Sequence, residues 1–281
     1  MSLELRLNKL IVPVDHFTFK GGEEQVKIDL NHAPKGSIGF VDITAKIKNS
    51  ADIMVLALLV DAVSRLENLD VHAEFTLNLP YIPYARQDRV MQPGEALAIK
   101  VFANIVNSLG FDKVVVDDPH SDVSTALLNN VHVRGQDILI SEFHDHLYGG
   151  DVIIVAPDAG ARKKAQKVAD RMRLPLVEAG KVRDVTTGEI FGTEVFGDVA
   201  GKECVIVDDI ADGAFTFLKL GEVLKQKGAK RVILYVTHGI FSKGIDILEG
   251  FVDEVYTYHP WMENISGRNE HGILKEIRSG F

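Results

Sequence analysis

The sequence predicts an α/β fold of mostly parallel sheets flanked by helices, and three observations predict it. Short apolar runs rich in β-branched residues recur: KVVVDD at 113–118, VIIVAPD at 152–158, CVIVDD at 204–209 and VILYVTHG at 232–239. Amphipathic stretches of helical period alternate with them, and that alternation belongs to parallel sheets covered on both faces. Each run ends in polar groups: Asp117 and Asp118, Asp158, Asp208 and Asp209, Thr237 and His238. In such sheets ligands bind beyond the carboxyl ends of the strands.

The elements follow in order. Residues 51–67, ADIMVLALLVDAVSRLE, predict a largely buried helix with an Asp61–Arg65 pair on its wetter side. HAEFTLNLP at 72–80 predicts a strand stopped by Pro80, and GEALAIKVFANIVNSLG at 94–110 an amphipathic helix closed by Gly110. Strands follow at 113–118 and 152–158, then a helix with a basic face in ARKKAQKVADRM at 161–172. A strand at 204–209, a helix over 214–228 and a strand at 232–239 complete the series.

The first half mirrors the second. Helix 51–67 leads into LNLPYIPYARQD, and helix 214–228 leads into LYVTHGIFS. The pattern implies two similar α/β domains, with a boundary in GQDILISEFHDHLYGG at 135–150, where periodicity is lost. A chain of 281 residues accommodates two such domains.

Composition narrows the function. With 46% hydrophobic and 25% charged residues, the chain is an ordinary globular protein. A formal net charge of -9 argues against a general nucleic-acid or membrane-surface binder. The single cysteine, Cys204, excludes an internal disulfide, fits a reducing compartment, read as the cytoplasm, and is expected to be inert core. MSLELRLNKL carries no signal-peptide pattern, and no apolar run reaches the ~18 residues of a membrane helix.

Five stretches carry chemistry. DDIADGAFT, 208–216, puts acids directly before a helix start. It reads either as an acid-capped turn or as a phosphate cradle built from the N–H groups of Gly213, Ala214, Phe215 and Thr216 with the Thr216 hydroxyl. In the second reading Asp208 and Asp209 take the paired hydroxyls of a ribose, and Asp212 faces the anomeric region or a metal. PYIPYARQDR, 80–89, is a stiff turn presenting Arg86 and Gln87, either solvated or aimed at phosphate and base. VVVDDPHSD, 114–122, sets Asp118 and His120 two apart; a carboxylate suits a hard cation better than an imidazole does. APDAGARKKAQ places Asp158 before a helix, as a plain N-cap or beside a metal-bound ligand. EAGKVRDVTTGE carries Lys181 and Arg183 on a segment without strand or helix patterning, followed by the turn formers Thr186, Thr187 and Gly188. It reads as a solvated hairpin or as a mobile loop that neutralises developing charge on phosphates. The chain has no GxxxxGK[ST] loop, no GxGxxG fingerprint, no metal-binding Cys cluster and no GxSxG elbow.

Taken in this order, PYxxYARQD, the Asp-x-His segment, the PD-x-G turn, the K-x-R loop, VDDxxD followed by Thr, and THGxFS resemble the ribose-phosphate pyrophosphokinase (PRPP synthetase) family over about residues 15–250. The resemblance implies tandem type I phosphoribosyltransferase-like domains: 1–140 on the ATP side, 141–260 on the ribose 5-phosphate side, and a C-terminal segment 261–281 packing back on the first domain. It implies a Mg2+-dependent transfer of the β,γ-diphosphoryl group of ATP to O1 of ribose 5-phosphate, in a homo-oligomer with the ATP site at a subunit interface. By position, Phe19 and Glu23 hold adenine, Arg86 and Gln87 bind ATP, and Asp118, His120 and Asp158 serve the metal and triphosphate. Lys181 and Arg183, with His120, are the catalytic set, and Asp208, Asp209 and Asp212 through Thr216 bind ribose 5-phosphate.

The chain departs from the family pattern in the shortened stretch RVMQPGEALAIK after ARQD, in the segment beyond Val255, and in two binding segments. Where the family's phosphate loop runs Asp-Thr-Gly-Gly-Thr, this chain has Asp212-Gly213-Ala214-Phe215-Thr216, and Ala and Phe tolerate positive φ less well than Gly. Where the family has Phe-Ser-Asp-Gly-Glu, this chain has Phe19-Lys20-Gly21-Gly22-Glu23. Two alternatives stand beside the synthetase: a catalytically silent homologue that binds nucleotides, favoured by the altered loop, and a phosphoribosyltransferase that consumes PRPP, which has no need of Arg86 and Gln87.

Overall fold

The computed structural model describes residues 2–141, 143, 151–183, 190–261 and 274–276, with Ser2, 181–183, 190–191 and 274–276 described by backbone alone. The chain divides into two compact units, Met1–Arg134 and Gly135–Phe281.

The first unit opens with the hairpin β1 (Ser2–Leu7) and β2 (Leu10–Val12). A separate antiparallel ribbon follows, β3 (Val14–Thr18) and β4 (Glu24–Ile28). Then come β5 (Ile38–Lys46), α1 (Ser50–Ser64), β6 (Leu69–Leu79), α2 (Ala98–Ser108), β7 (Lys113–Asp117), α3 (Asp122–Leu127) and β8 (Val131–Arg134). β5 to β8 are parallel neighbours, and the sheet order is β2-β1-β5-β6-β7-β8.

α1 starts with a reciprocal cap: Asn49 accepts from the Asp52 N–H, and Asp52 from the Asn49 N–H. Asp61 and Arg65 pair at 2.8 Å on its exposed side, as the i,i+4 spacing expects. α2 buries Ile99, Phe102, Ala103 and Val106, one helical stripe. The helix expected from residue 94 begins at Ala98, because the Glu95 carboxylate accepts from the N–H groups of Met91 and Gln92 and so closes the preceding turn instead.

The second unit contains α4 (Gln136–Leu139), β9 (Val152–Ala156), α5 (Arg162–Met172), β10 (Leu176–Arg183), β11 (Ile190–Phe196), β12 (Glu203–Ala211), α6 (Phe215–Gln226), β13 (Arg231–Gly239), β14 (Glu254–Pro260) and β15 (Leu274–Glu276). Its order is β11-β10-β9-β12-β13-β14-β15, parallel except for the β10–β11 hairpin.

Strand alternation divides the side chains of the central strands between two cores. Cys204, Ile206, Val232 and Leu234 pack with Phe217, Leu220 and Leu224 of α6. Val205, Val207, Ile233 and Tyr235 pack with Ala165 and Val168 of α5. Cys204 is fully buried and its thiol is pushed up to about 11 by burial, so it is inert core as expected. Gly221 lets α6 approach its neighbour closely: a Cβ there would lie 2.7 Å from the Phe251 carbonyl oxygen.

Two further expectations are corrected. β12 does not end at its acids but runs to Ala211, because β13 accompanies it as far as the Ala211–Gly239 pair. Lys181 and Arg183 do not stand on an unpatterned segment; they belong to β10, which β11 holds in an antiparallel hairpin. Within segment 261–281, β15 adds a parallel strand to β14 in the second unit's sheet. The rest of that segment beyond Trp261, with Thr186, Thr187 and Gly188, lies outside the described residues.

Candidate functional site

In the second unit the connection from β9 leads to β10 on one side, and β12 leads to β13 and β14 on the other. The crevice beyond the carboxyl ends of β9 and β12 is therefore a topological switch point, where open α/β sheets bind ligands. Asp158 follows β9, and Asp208 and Asp209 lie near the end of β12.

The Asp158 Oδ1 accepts from the N–H groups of Gly160 and Ala161, so Asp158 does form the turn cap that its sequence allows. Asp209 is 5% exposed and receives Lys164 Nζ at 3.3 Å. Burial pushes the Asp208 carboxyl well above the ordinary carboxylate range, and the negative charges of Asp209 and Asp158 push it further. Asp208 Oδ1 in turn accepts from the Asp209 N–H at 2.9 Å.

The next turn is braced from β13. Ile240 and Phe241 donate their N–H groups to the Ala211 carbonyl, and the Ser242 N–H donates to the Asp212 carbonyl at 3.0 Å. Ser242 Oγ donates to Asp212 Oδ1 at 2.6 Å. Gly239 fits this tight return, since a Cβ would lie 2.6 Å from the Phe241 ring and 2.7 Å from Thr257 Oγ1.

α6 then begins without any side-chain cap. Ala214 is its N-cap, at φ 57° and ψ 4°, in the left-handed region that glycine favours. The altered loop thus adopts a positive φ at an alanine, at a cost of about 1–2 kcal/mol. Phe215 is 61% exposed, and its ring lies against Gly213. The first N–H groups of the helix, lacking a side-chain acceptor, suit an anion.

The first unit brings two motif loops together. Asp88, in the loop after β6, accepts from Ser121 Oγ at 2.7 Å and from Arg89 Nε at 3.0 Å, and these bonds, Ser121 first, hold its carboxyl below the ordinary range. Ser121 belongs to the loop after β7, which carries Asp118 and His120. Arg86 and Gln87 are exposed on the first loop, which also buries Ile82 and Ala85. Asp117 takes two bonds of 2.6 Å from Arg134, and the Asp118 N–H donates to the Arg134 carbonyl. Asp118 is 2% exposed at φ 38°, whereas His120 is exposed.

Phe19 and Glu23 sit at the tip of the β3–β4 ribbon, where the Phe19 N–H donates to the Glu23 carbonyl and Phe19 packs edge-on to Phe17 at 5.1 Å. The side chains of Lys181 and Arg183 lie outside the described residues. Sequence reasoning missed Lys164 and Ser242. Lys164 did leave a signal: a lysine in the first turn of a helix opposes the macrodipole unless a carboxylate faces it.

Among the described residues no three His, Cys, Asp or Glu are grouped closely enough to hold a metal by themselves. Mg2+ commonly binds through one or two carboxylates plus substrate phosphates and water. The hard oxygens of Asp118 and Asp158 fit that use, and the mutual repulsion around Asp208 favours a nearby cation. Among the described residues no helix is long and apolar enough to cross a membrane.

The sequence matches the family model for the N-terminal domain of ribose phosphate pyrophosphokinase over residues 3–110, and that for the phosphoribosyl transferase domain over 128–252. A ribose-phosphate pyrophosphokinase from Agrobacterium fabrum is 30% identical over 238 residues, 84% of this chain and 75% of that protein. The chain belongs to the ribose-phosphate pyrophosphokinase family. A second member, from Aquifex aeolicus, is 32% identical over 243 residues, 85% of this chain and 74% of its own length. The crystal structure of phosphoribosylpyrophosphate synthetase from Mycobacterium smegmatis superposes with a TM-score of 0.77 at 27% identity, covering 96% of this chain and 87% of that one. The tandem phosphoribosyltransferase-type fold expected from the motifs is thus the family's.

Proposed function

We propose that this chain is a ribose-phosphate pyrophosphokinase that transfers the β,γ-diphosphoryl group of ATP to O1 of ribose 5-phosphate, giving PRPP and AMP. The observation that carries the reading is the uncapped start of α6 immediately beyond three acids at the switch point. Ribose 5-phosphate has the matching parts: a dianion for the helix start and hydroxyl donors for carboxylates.

In this reading the N–H groups of Gly213 through Thr216 hold the 5-phosphate, Asp208 and Asp209 accept from the ring hydroxyls, and Asp212 orients the anomeric side. Arg86 and Gln87 bind the ATP phosphates and base, and Phe19 with Glu23 contacts adenine. The reaction forms the O1–Pβ bond, breaks the bond from Pβ to the oxygen bridging it to Pα, and releases AMP and the O1 proton. Lys181, Arg183 and His120 neutralise the charge that spreads over the transferring group; such transfers depend on positioning and electrostatics rather than on covalent help. Asp118 in the first unit and Asp158 in the second are each candidate ligands for Mg2+, which would supply further charge neutralisation on the triphosphate. The proposal includes a homo-oligomer in the cytoplasm whose product feeds nucleotide biosynthesis.

Calorimetric titration tests the site. Ribose 5-phosphate should bind, ribose without phosphate should bind at least ~10-fold more weakly, and Asp212→Asn should weaken ribose 5-phosphate by ~10-fold. Equal binding of ribose and ribose 5-phosphate would remove the phosphate assignment.

A further inference from the structure

Gln136 is the first residue of α4, and its side chain is 3% exposed. Its Nε2 donates to the main-chain carbonyl of Asp208. Pairing between β12 and β9 ends at Ile206 and Val155, whereas β12 continues to Ala211 beside β13. The acid-bearing end of β12 therefore has a strand on one side, and Gln136 reaches it from another element.

Hydrogen bonding fixes the orientation of the amide. Exchanging its oxygen and nitrogen would set Oε1 against a carbonyl oxygen. In the observed orientation Oε1 is buried and has no hydrogen-bond donor among the described residues. A buried amide left half satisfied is unfavourable, and an apolar side chain of similar volume would avoid the orphan. The return on having an amide here is the bond to Asp208.

We infer that Gln136 is a positioning residue for the reaction: it fixes the Asp208 carbonyl, and with it the strand end that presents Asp208, Asp209 and Asp212 to ribose 5-phosphate. It touches no substrate itself. The inference rests on the proposed ribose 5-phosphate site and adds a residue to its support.

Gln136→Met keeps the volume and removes both the donor and the orphan acceptor. The full-length variant should melt within about 2 °C of the wild type, while its KM for ribose 5-phosphate rises ~10-fold and its KM for ATP changes less than ~2-fold. Amide hydrogen exchange at residues 208–212 should quicken, with β14 unchanged. An unchanged KM for ribose 5-phosphate, or equal rises for both substrates, would overturn the assignment. Should the Met variant not fold, Gln136→Asn, which keeps the amide but shortens its reach, carries the same expectations. Asp212→Asn serves as the control. If it raises the KM for ribose 5-phosphate and the Gln136 variants do not, this inference fails and the site stands. If neither raises it, the site itself is wrong.

Discussion

Ser242 Oγ donates to Asp212 Oδ1 at 2.6 Å, joining residues 30 apart in the chain. A second bond, from the Ser242 N–H to the Asp212 carbonyl, makes the link two-point. One partner comes from the turn after β12 and the other from the turn after β13. The THGIFS motif therefore braces Asp212, the acid proposed to orient the sugar. Ser242→Ala removes the side-chain half of the brace. It should raise the KM for ribose 5-phosphate ~3–10-fold, about 1 kcal/mol, with a smaller change in kcat. Steady-state kinetics checks this, and an unchanged KM would show that the main-chain bond alone suffices.

Lys181 lies on β10 in register with Thr193 of β11, so it is carried by a hairpin rather than by an unstructured loop. Its proposed role is confined to the transition state. Lys181→Ala should therefore lower kcat by ~100–1000-fold while ribose 5-phosphate binding stays within ~2-fold. Rapid-quench turnover and calorimetry together separate the two effects; near-normal turnover would sink the assignment.

Ala214 occupies φ 57° with its side chain buried at 6% exposure. Glycine there would relieve about 1–2 kcal/mol of left-handed strain, but would forfeit about 0.8 kcal/mol of methyl burial and about 0.5–1 kcal/mol through added freedom in the unfolded chain. Ala214→Gly should accordingly change stability by less than about 1 kcal/mol. Ala214→Val puts a β-branched residue at the same φ and should cost about 2 kcal/mol. Urea unfolding of both variants tests the balance, and a tolerated valine would contradict it.

Asp208 is held above the ordinary carboxylate range by burial and by the charges of Asp209 and Asp158. In the unfolded chain it titrates near the usual value of about 3.9. Between that value and the higher folded one, the native state holds the extra proton. Its contribution to stability is therefore lost as pH rises through this window. Asp208→Asn removes the penalty, and its amide oxygen can still accept from the Asp209 N–H. The variant should melt higher than the wild type at pH 8, by about 2–4 °C for each kcal/mol recovered, and the gain should vanish toward pH 4. An equal gain at both pH values would argue against a titrating penalty.

Much of this was legible in the residues. The apolar runs ending in acids gave the central strands and their polar ends, because burial on both faces leaves little room for other patterns. α1 and α2 were legible from their buried stripes. The β1–β2 hairpin and the β3–β4 ribbon were not, because their strands are short and set only a few buried apolar residues, such as Leu5, Leu7, Val12, Val26 and Ile28, among charged and polar ones. The extension of β12 through Asp208 and Asp209 was hidden as well. Acids are poor strand formers in isolation, and only pairing with β13 carries the strand past them. In the site, motif order marked Asp158, Asp208 and Asp212, but Ser242 bracing Asp212, Lys164 facing Asp209, and Gln136 holding the Asp208 carbonyl are tertiary contacts over 30, 45 and 72 residues. No local pattern encodes pairings at such separations. The altered 212–216 loop was legible as a strain at Ala214, and the backbone takes up that strain rather than avoiding it.

The most direct measurement is product stoichiometry. The purified protein is mixed with ATP, Mg2+ and ribose 5-phosphate, and AMP and PRPP are followed by chromatography against controls lacking each substrate. Equal amounts of AMP and PRPP, formed only when both substrates are present, are the expected result. No AMP despite bound ATP, or ADP in place of AMP, would contradict a diphosphoryl transfer and return the chain to a nucleotide-binding role.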